Sequence, residues 1–362
     1  MKDARPITIA DAVARLDEFH AILDARSPGE FAEDHLPGAL STPVLSDEER
    51  ARVGTLHKQE NAFAAKRVGA ALVSRNIAGI IETQLADAPR DWRPLVYCWR
   101  GGNRSGALST VLARIGWQVC VLEGGYRAFR RQVIEDLNHL PSGLAFVVLA
   151  GRTGSGKSLV LERLSSLGAQ VLDLEALARH RGSVLGHLPG APQPSQKHFE
   201  TLLWQHLRGF DPARPVFVES ESRKVGQCQV PEQLILKMRA SRCLVLEAED
   251  TVRARLLLGE YAHFVQDIEL LRHRLGALVA LHGHARIGEW LALAQRGQWQ
   301  DFVVALLREH YDPAYDRSID RNFSEAASAP RVKLRCADDD GLTLAAQDLL
   351  RAASTLTPHC SV

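Results

Sequence analysis

The chain has no Cys-x-x-Cys pair and no zinc-type spacing; its six cysteines stand apart at 98, 120, 228, 243, 336 and 360. A zinc module or a dithiol redox centre is thereby excluded. Long apolar runs are missing too. The longest, Leu144 to Ala150, has seven residues, enough for a buried strand and far short of the roughly 20 of a membrane span. Met1-Lys2-Asp3-Ala4-Arg5-Pro6 leads into no signal-peptide apolar region, so a cytoplasmic protein without a membrane partner is expected. Charge of one sign is scarce, with 44 Lys+Arg against 43 Asp+Glu and a net +1. A nucleic-acid partner would have to be met by a local basic patch. Internal repeats and low-complexity tracts are also absent.

What is present suits a globular protein. Of 362 residues 46% are hydrophobic and 24% charged, a length and balance that fit two domains. Short apolar runs alternate with helical patterns. Ala21-Ile22-Leu23, Pro94-Leu95-Val96-Tyr97 and Gln118-Val119-Cys120-Val121-Leu122 read as strands, with helices over Asp47 to Ile81 and Asn103 to Ile115. That alternation predicts a parallel α/β sheet. The turn signal Pro141-Ser142-Gly143 follows a helix from Ala128 to Leu140 and predicts a domain boundary, giving domains 1–140 and 141–362. A second strand set begins at once with Leu144-Ala145-Phe146-Val147-Val148-Leu149. It continues at Gln170-Val171-Leu172, Pro215 to Val218 and Arg242 to Leu246. From about 251 to 310 the pattern is helical throughout, with Arg253, Arg255, Arg272, Arg274 and Arg286 among leucines.

Chemistry concentrates in two loops. In the first, Cys98-Trp99-Arg100-Gly101-Gly102-Asn103-Arg104-Ser105 joins a strand to a helix, with Cys98 and Arg104 in a Cys-x5-Arg arrangement. Two glycines let the backbone curl so that several N–H groups face one centre, and the next helix adds its positive end. Such a cradle lowers a thiol pKa and holds an anion. A cysteine that merely fills a strand end would need neither the Gly-Gly pair nor the arginine.

In the second, Gly151-Arg152-Thr153-Gly154-Ser155-Gly156-Lys157-Ser158 matches G-x4-G-K-[ST] completely, between an apolar strand and a helix. Its N–H groups would wrap one phosphate, Lys157 would reach the next, and Ser158 is able to hold Mg²⁺. Glu219 and Glu221 end a strand where an acid of the second nucleotide motif usually stands, and Asp173 follows the preceding strand. Either these acids serve the site, or they solvate strand ends and anchor Arg181 and Arg223.

Asp24-Ala25-Arg26-Ser27-Pro28-Gly29-Glu30-Phe31, His35-Leu36-Pro37-Gly38-Ala39 and Glu123-Gly124-Gly125-Tyr126, around the cysteine loop, resemble the rhodanese family. The resemblance implies a structural role for Asp24 and Arg26 and tight turns at Gly124 and Gly125. The loop is one residue longer than the Cys-x4-Arg of common sulfurtransferases and is similar in length to rhodanese-fold phosphatases and arsenate reductases. With the P-loop, His180-Arg181-Gly182-Ser183, Gln193 to Lys197, Glu219 to Arg223 and His310-Tyr311-Asp312-Pro313-Ala314-Tyr315, the chain to about Tyr315 resembles the tRNA 2-selenouridine synthase family. Residues 316–362 contribute little to that resemblance.

That family resemblance implies an enzyme that replaces the sulfur of wobble 2-thiouridine in tRNA by selenium, through a geranylated intermediate. It implies selenophosphate and geranyl diphosphate as co-substrates, no tightly bound cofactor, and a selenophosphate-producing enzyme as donor source. Cys98 would carry selenium or assist its delivery, with Arg100 and Arg104 holding the donor. The P-loop would hold either a nucleotide or the prenyl diphosphate. The arginine-bearing region after Thr251, including Arg272 and Arg274, with Arg181 and Lys197, is expected to supply the tRNA surface. Two other classes fit the same residues: a phosphatase or kinase using the two loops without tRNA, and a non-catalytic nucleotide-binding module.

Overall fold

The apolar runs are among twelve strands in a computed structural model, which describes residues 3–59, 61–183, 185–187 and 190–355. Cys360 lies outside the described residues. The chain divides into two compact units: Met1–Asp136 with Ser195–Gln205, and Leu137–Pro194 with His206–Val362. The sequence expectation placed the change of domain at 140/141, and the units change at 136/137. The stretch Ser195–Gln205, which contains Lys197, belongs with the first unit.

In the first unit β1 (Arg5–Ile7), β2 (Ala21–Asp24), β3 (Ala39–Ser41), β4 (Pro94–Tyr97) and β5 (Cys120–Leu122) form a parallel sheet in the order β1-β5-β4-β2-β3. Every residue of β4 is buried, as expected where helices cover both faces of a parallel sheet. Leu23, Val96, Leu108, Leu112, Ile77, Trp92 and Trp117 share its core with Cys98. The helical span read from Asp47 to Ile81 is two helices, Asp47–Gln59 and Ala62–Thr83. The second is capped by Asn61, whose side chain accepts the Ala64 N–H at 2.7 Å.

In the second unit β6 (Phe146–Ala150), β7 (Gln170–Leu172), β8 (Val216–Glu219), β11 (Arg242–Ala248) and β12 (Arg331–Leu334) form another parallel sheet, ordered β12-β11-β6-β8-β7. The short pair β9 (Lys224–Val225) and β10 (Cys228–Gln229) is antiparallel and separate. A helical region from Asp250 to Asn322 has its own apolar core, including Leu271, Trp290, Phe302 and Leu306. Residues after 316 add to this unit's sheet and core. β12 extends the sheet, and the helix Asp339–Thr355 packs Leu342, Ala346 and Leu349 against Val160 and Leu164 of the helix Lys157–Ser166.

Both loops of interest leave the carboxyl ends of strands where the strand order reverses: Cys98 after β4, Gly151 after β6. In open α/β sheets that crevice is where ligands bind.

Candidate active site

The Cys98 loop is shaped by a turn from elsewhere in the first unit. Tyr126 donates its N–H to the Cys98 carbonyl at 2.8 Å, and Arg127 to that of Trp99 at 3.1 Å. Gly125 has a φ of +55°, and a Cβ there would come within 2.2 Å of the Cys98 oxygen. No other residue permits that approach. The Trp99 ring stacks on Tyr126 at 5.4 Å. Beneath lies a buried ion pair: Arg26 and Asp24 are joined at 2.6 Å, and Tyr97 donates its hydroxyl to Asp24 at 2.6 Å.

Cys98 is 3% exposed. Burial would raise its thiol pKa, but hydrogen bonds from the Ser105 hydroxyl and from the N–H groups of Ser105, Arg100 and Gly102 outweigh it, and the net direction is down. Ser105 Oγ is 3.1 Å from the sulfur. These donors converge at the start of the helix Asn103–Ile115, capped by Gly102, whose positive end adds to the effect. Gly101 and the exposed Arg100 and Asn103 complete the loop.

Arg104 turns towards the helix Pro28–Glu33. It gives two hydrogen bonds to Glu30, at 2.5 and 3.1 Å. Glu30 is also the third residue of the helix Pro28–Glu33 and accepts the Ser27 N–H at 3.0 Å. Burial would raise the Glu30 carboxyl, but Arg104 and Ser27 take it down to about 2. An arginine tied so firmly fixes the loop to its neighbouring helix, leaving the N–H groups as the cradle. Glu30 stood within the rhodanese-like signature, but a partner 74 residues away has no local signal.

The phosphate loop in the second unit opens the helix Lys157–Ser166, and Gly156 takes the left-handed conformation before it. Gly154 also has a positive φ, and a Cβ there would sit 2.7 Å from Leu257. Ser155 closes a turn onto Arg152, and its buried hydroxyl has no hydrogen-bond partner among the described residues. Lys157 Nζ donates to the Gly151 carbonyl at 2.6 Å and stands 5.8 Å from the Tyr315 ring.

The loop is held from outside. Arg253, 2% exposed, donates Nε and Nη2 to the Thr153 carbonyl at 3.0 and 2.8 Å and pairs with Asp312 at 2.5 Å. Tyr315 accepts the Gly151 N–H at 2.6 Å, and Asp316 pairs with Arg152 at 2.7 Å. Arg253 is therefore a buried clamp and not part of a basic surface. Asp312 and Tyr315 belong to a segment that the sequence offered only as a resemblance.

Asp173, Glu219 and Glu221 do come together, with a fourth acid the sequence reading passed over. Glu175 accepts the Ser158 hydroxyl at 2.9 Å and donates its N–H to Glu219 at 2.9 Å. Burial, and then the neighbouring carboxylates, push Glu175 and Glu219 up; burial first raises Glu221 and Asp173 as well, with Lys157 opposing it at Glu175 and Glu221. Asp173 also caps a short helix through the Ala176 N–H at 2.7 Å. Ser158 and Glu175 offer the hard oxygen donors that Mg²⁺ accepts. Among the described residues, however, no group of three or more His, Cys, Asp or Glu is placed to hold a metal ion.

The four basic residues proposed for tRNA have different situations. Arg181 lies over the Tyr261 ring at 4.9 Å and pairs with Glu260 at 3.6 Å, not with the strand-end acids. Arg272 pairs with Glu269 one turn away at 3.2 Å, and Arg274 is half-buried. Lys197 pairs with Glu33 at 2.7 Å in the first unit, whereas the other three lie in the second.

Two family models match in tandem: a rhodanese-like domain over residues 8–132 and a tRNA 2-selenouridine synthase AAA domain over 144–330. A protein named tRNA 2-selenouridine synthase from Shewanella halifaxensis is 32% identical over 83% of this chain and 89% of its own length. The chain belongs to the tRNA 2-selenouridine synthase family. Relatives of the same name from Nitrosomonas europaea (34% identical, covering 70% of this chain and 67% of theirs) and Alcanivorax borkumensis (31%, covering 83% and 90%) agree. In family terms, the cysteine loop lies in the rhodanese-like part, while the phosphate loop and its clamp lie in the AAA part. Among the described residues no helix is long and apolar enough to cross a membrane.

Proposed function

We propose that this chain is a cytoplasmic transferase that replaces the sulfur of wobble 2-thiouridine in tRNA by selenium, with geranyl diphosphate and selenophosphate as co-substrates. Family membership supports the overall reaction. The observation that carries the division of labour is the pair of anion-binding loops, each at a strand-order reversal in its own sheet.

Geranylation belongs to the phosphate loop. The tRNA sulfur bonds to the allylic carbon as the carbon–oxygen bond breaks, diphosphate leaves with the electron pair, and the uridine N3 proton goes to solvent. The N–H groups from Gly154 to Ser158, with Lys157, would neutralise the charge that develops on diphosphate. An allylic diphosphate is already activated, so this step needs no ATP.

Selenation belongs to Cys98. Selenium attacks C2 and geranylthiol departs with a proton, a better leaving group than the original thiocarbonyl sulfur. Selenophosphate selenium is already at the selenide level, so forming a cysteine perselenide from it would require an oxidant. A thiolate that instead takes the phosphoryl group, forming S–P as Se–P breaks, requires none; water then returns phosphate and thiol. The lowered pKa of Cys98 suits that nucleophilic role. The donor would come from a selenophosphate-producing enzyme. On this reading Arg272 and Arg274 contribute phosphate contacts to tRNA.

The test is mass analysis of nucleosides from 2-thiouridine tRNA incubated with the protein, selenophosphate and geranyl diphosphate. Time-resolved appearance of S-geranyl-2-thiouridine, then 2-selenouridine, is expected. Selenouridine formed at full rate without the prenyl donor contradicts the sequence of steps.

A further inference from the structure

An apolar groove in the helical region reaches the phosphate loop. Thr153 of that loop is part of its lining, and Leu257, Tyr261, Phe264, Trp299, Val303 and Leu306 form much of the rest. Its cavity volume is about 50 Å³, and its empty space with open solvent included is about 530 Å³. Leu257 also sits directly on Gly154, close enough that a Cβ there would meet it at 2.7 Å. The groove and the phosphate cradle therefore share a wall.

We infer that this groove takes the hydrocarbon chain of a phosphorylated donor whose diphosphate lies in the phosphate loop. The inference rests on the reading of that loop as a prenyl diphosphate site and adds the place where the chain goes and the residues that measure it. A site combining backbone N–H donors and a lysine at one end with leucine and aromatic side chains along its length matches an amphiphile: anionic head, apolar tail. A nucleobase would ask for hydrogen-bonding partners at its edge, whereas much of this lining is hydrocarbon and aromatic.

The clamp fixes the direction. Arg253 links Thr153 to Asp312, and Asp312 follows closely after the Leu306 end of the helix Trp299–Leu306. Trp299 stands at the other end of this eight-residue helix, ~10 Å away at 1.5 Å per residue. It therefore limits the length of chain that fits, and Val303 between them sets the width.

The experiment measures binding of inorganic diphosphate and of C5, C10 and C15 prenyl diphosphates to the full chain by equilibrium dialysis, with ATP as a further ligand. Each methylene removed from water contributes roughly fourfold in affinity, so geranyl diphosphate should bind at least about tenfold more tightly than inorganic diphosphate. Val303→Phe should collapse that ratio, and Trp299→Ala should raise the C15 to C10 ratio. The wild-type chain series alone decides the matter if either variant folds poorly. Equal affinities for inorganic and geranyl diphosphate, both lost in Lys157→Ala, would overturn the groove while leaving the phosphate-loop reading intact. Tight ATP binding with no binding of either diphosphate would remove that reading, and the groove with it.

Discussion

Burial alone drives a thiol towards its neutral form, and Cys120, Cys228 and Cys243 obey, with Cys243 pushed up to about 11. Cys98 moves the other way because donors converge on it. Ser105→Ala removes the hydroxyl among them, so the acid limb of the pH profile of selenation should move to higher pH while geranylation keeps its profile. An unmoved limb would detach the cradle from the chemistry. The Glu30–Arg104 pair has a different pH signature. Because the Glu30 carboxyl is depressed on folding to about 2, its contribution is present above the ordinary carboxylate value and is lost as pH falls from there towards about 2. Glu30→Gln should cost about 1–3 kcal/mol at pH 7, at the lower end given partial exposure. The cost should vanish in acid, as urea unfolding at several pH values would show. Cys98 and its glycines were legible in the sequence because the cradle is local. Arg104 was visible, but its partner Glu30, 74 positions away, was not.

At the scale of elements, the helix Asp312–Asn322 and Arg253 brace the phosphate loop. Their couplings differ in worth. Asp312→Ala leaves the buried Arg253 guanidinium with Asp250, at 3.1 Å, as its remaining carboxylate partner and should cost about 1–3 kcal/mol. Asp316→Ala breaks only a part-exposed pair with Arg152 and should cost about 0–1 kcal/mol. Chemical denaturation of the second unit separates the two; equal losses would mean that Asp312 is not a buried partner. The phosphate loop was fully legible, since motif, strand and helix are contiguous. The brace was not, because Arg253 and Thr153 lie 100 positions apart, and an arginine among leucines reads as a solvated helix face until its burial is known. Glu175 escaped notice for a similar reason: it gains meaning only beside Ser158 and Glu219.

At the scale of the whole molecule, alternating strands and helices announced two parallel sheets, and both are present. Periodicity did not show that β12 returns to the second sheet after the long helical region, because Val332 and Leu334 alternate with exposed residues in a strand of only four. Nor could it show that Ser195–Gln205 belongs with the first unit, since that is a matter of tertiary packing. With a net charge of +1, tRNA affinity must come from particular side chains. Replacing Arg272 and Arg274 together should weaken tRNA binding and flatten its salt dependence by about two units of slope at most. Stability should stay within ~1 kcal/mol, because the Arg272–Glu269 pair is exposed. An unchanged salt slope would move the tRNA surface elsewhere.

Single-turnover selenation of two tRNA forms, with and without ATP, separates the step run by each loop. Lys157→Ala should fail on 2-thiouridine tRNA yet selenate tRNA supplied already geranylated. Cys98→Ser should geranylate 2-thiouridine tRNA and selenate neither form. Equal loss of both steps in the Lys157 variant, strict ATP dependence of geranylation, or full selenation by the Cys98 variant would contradict the account.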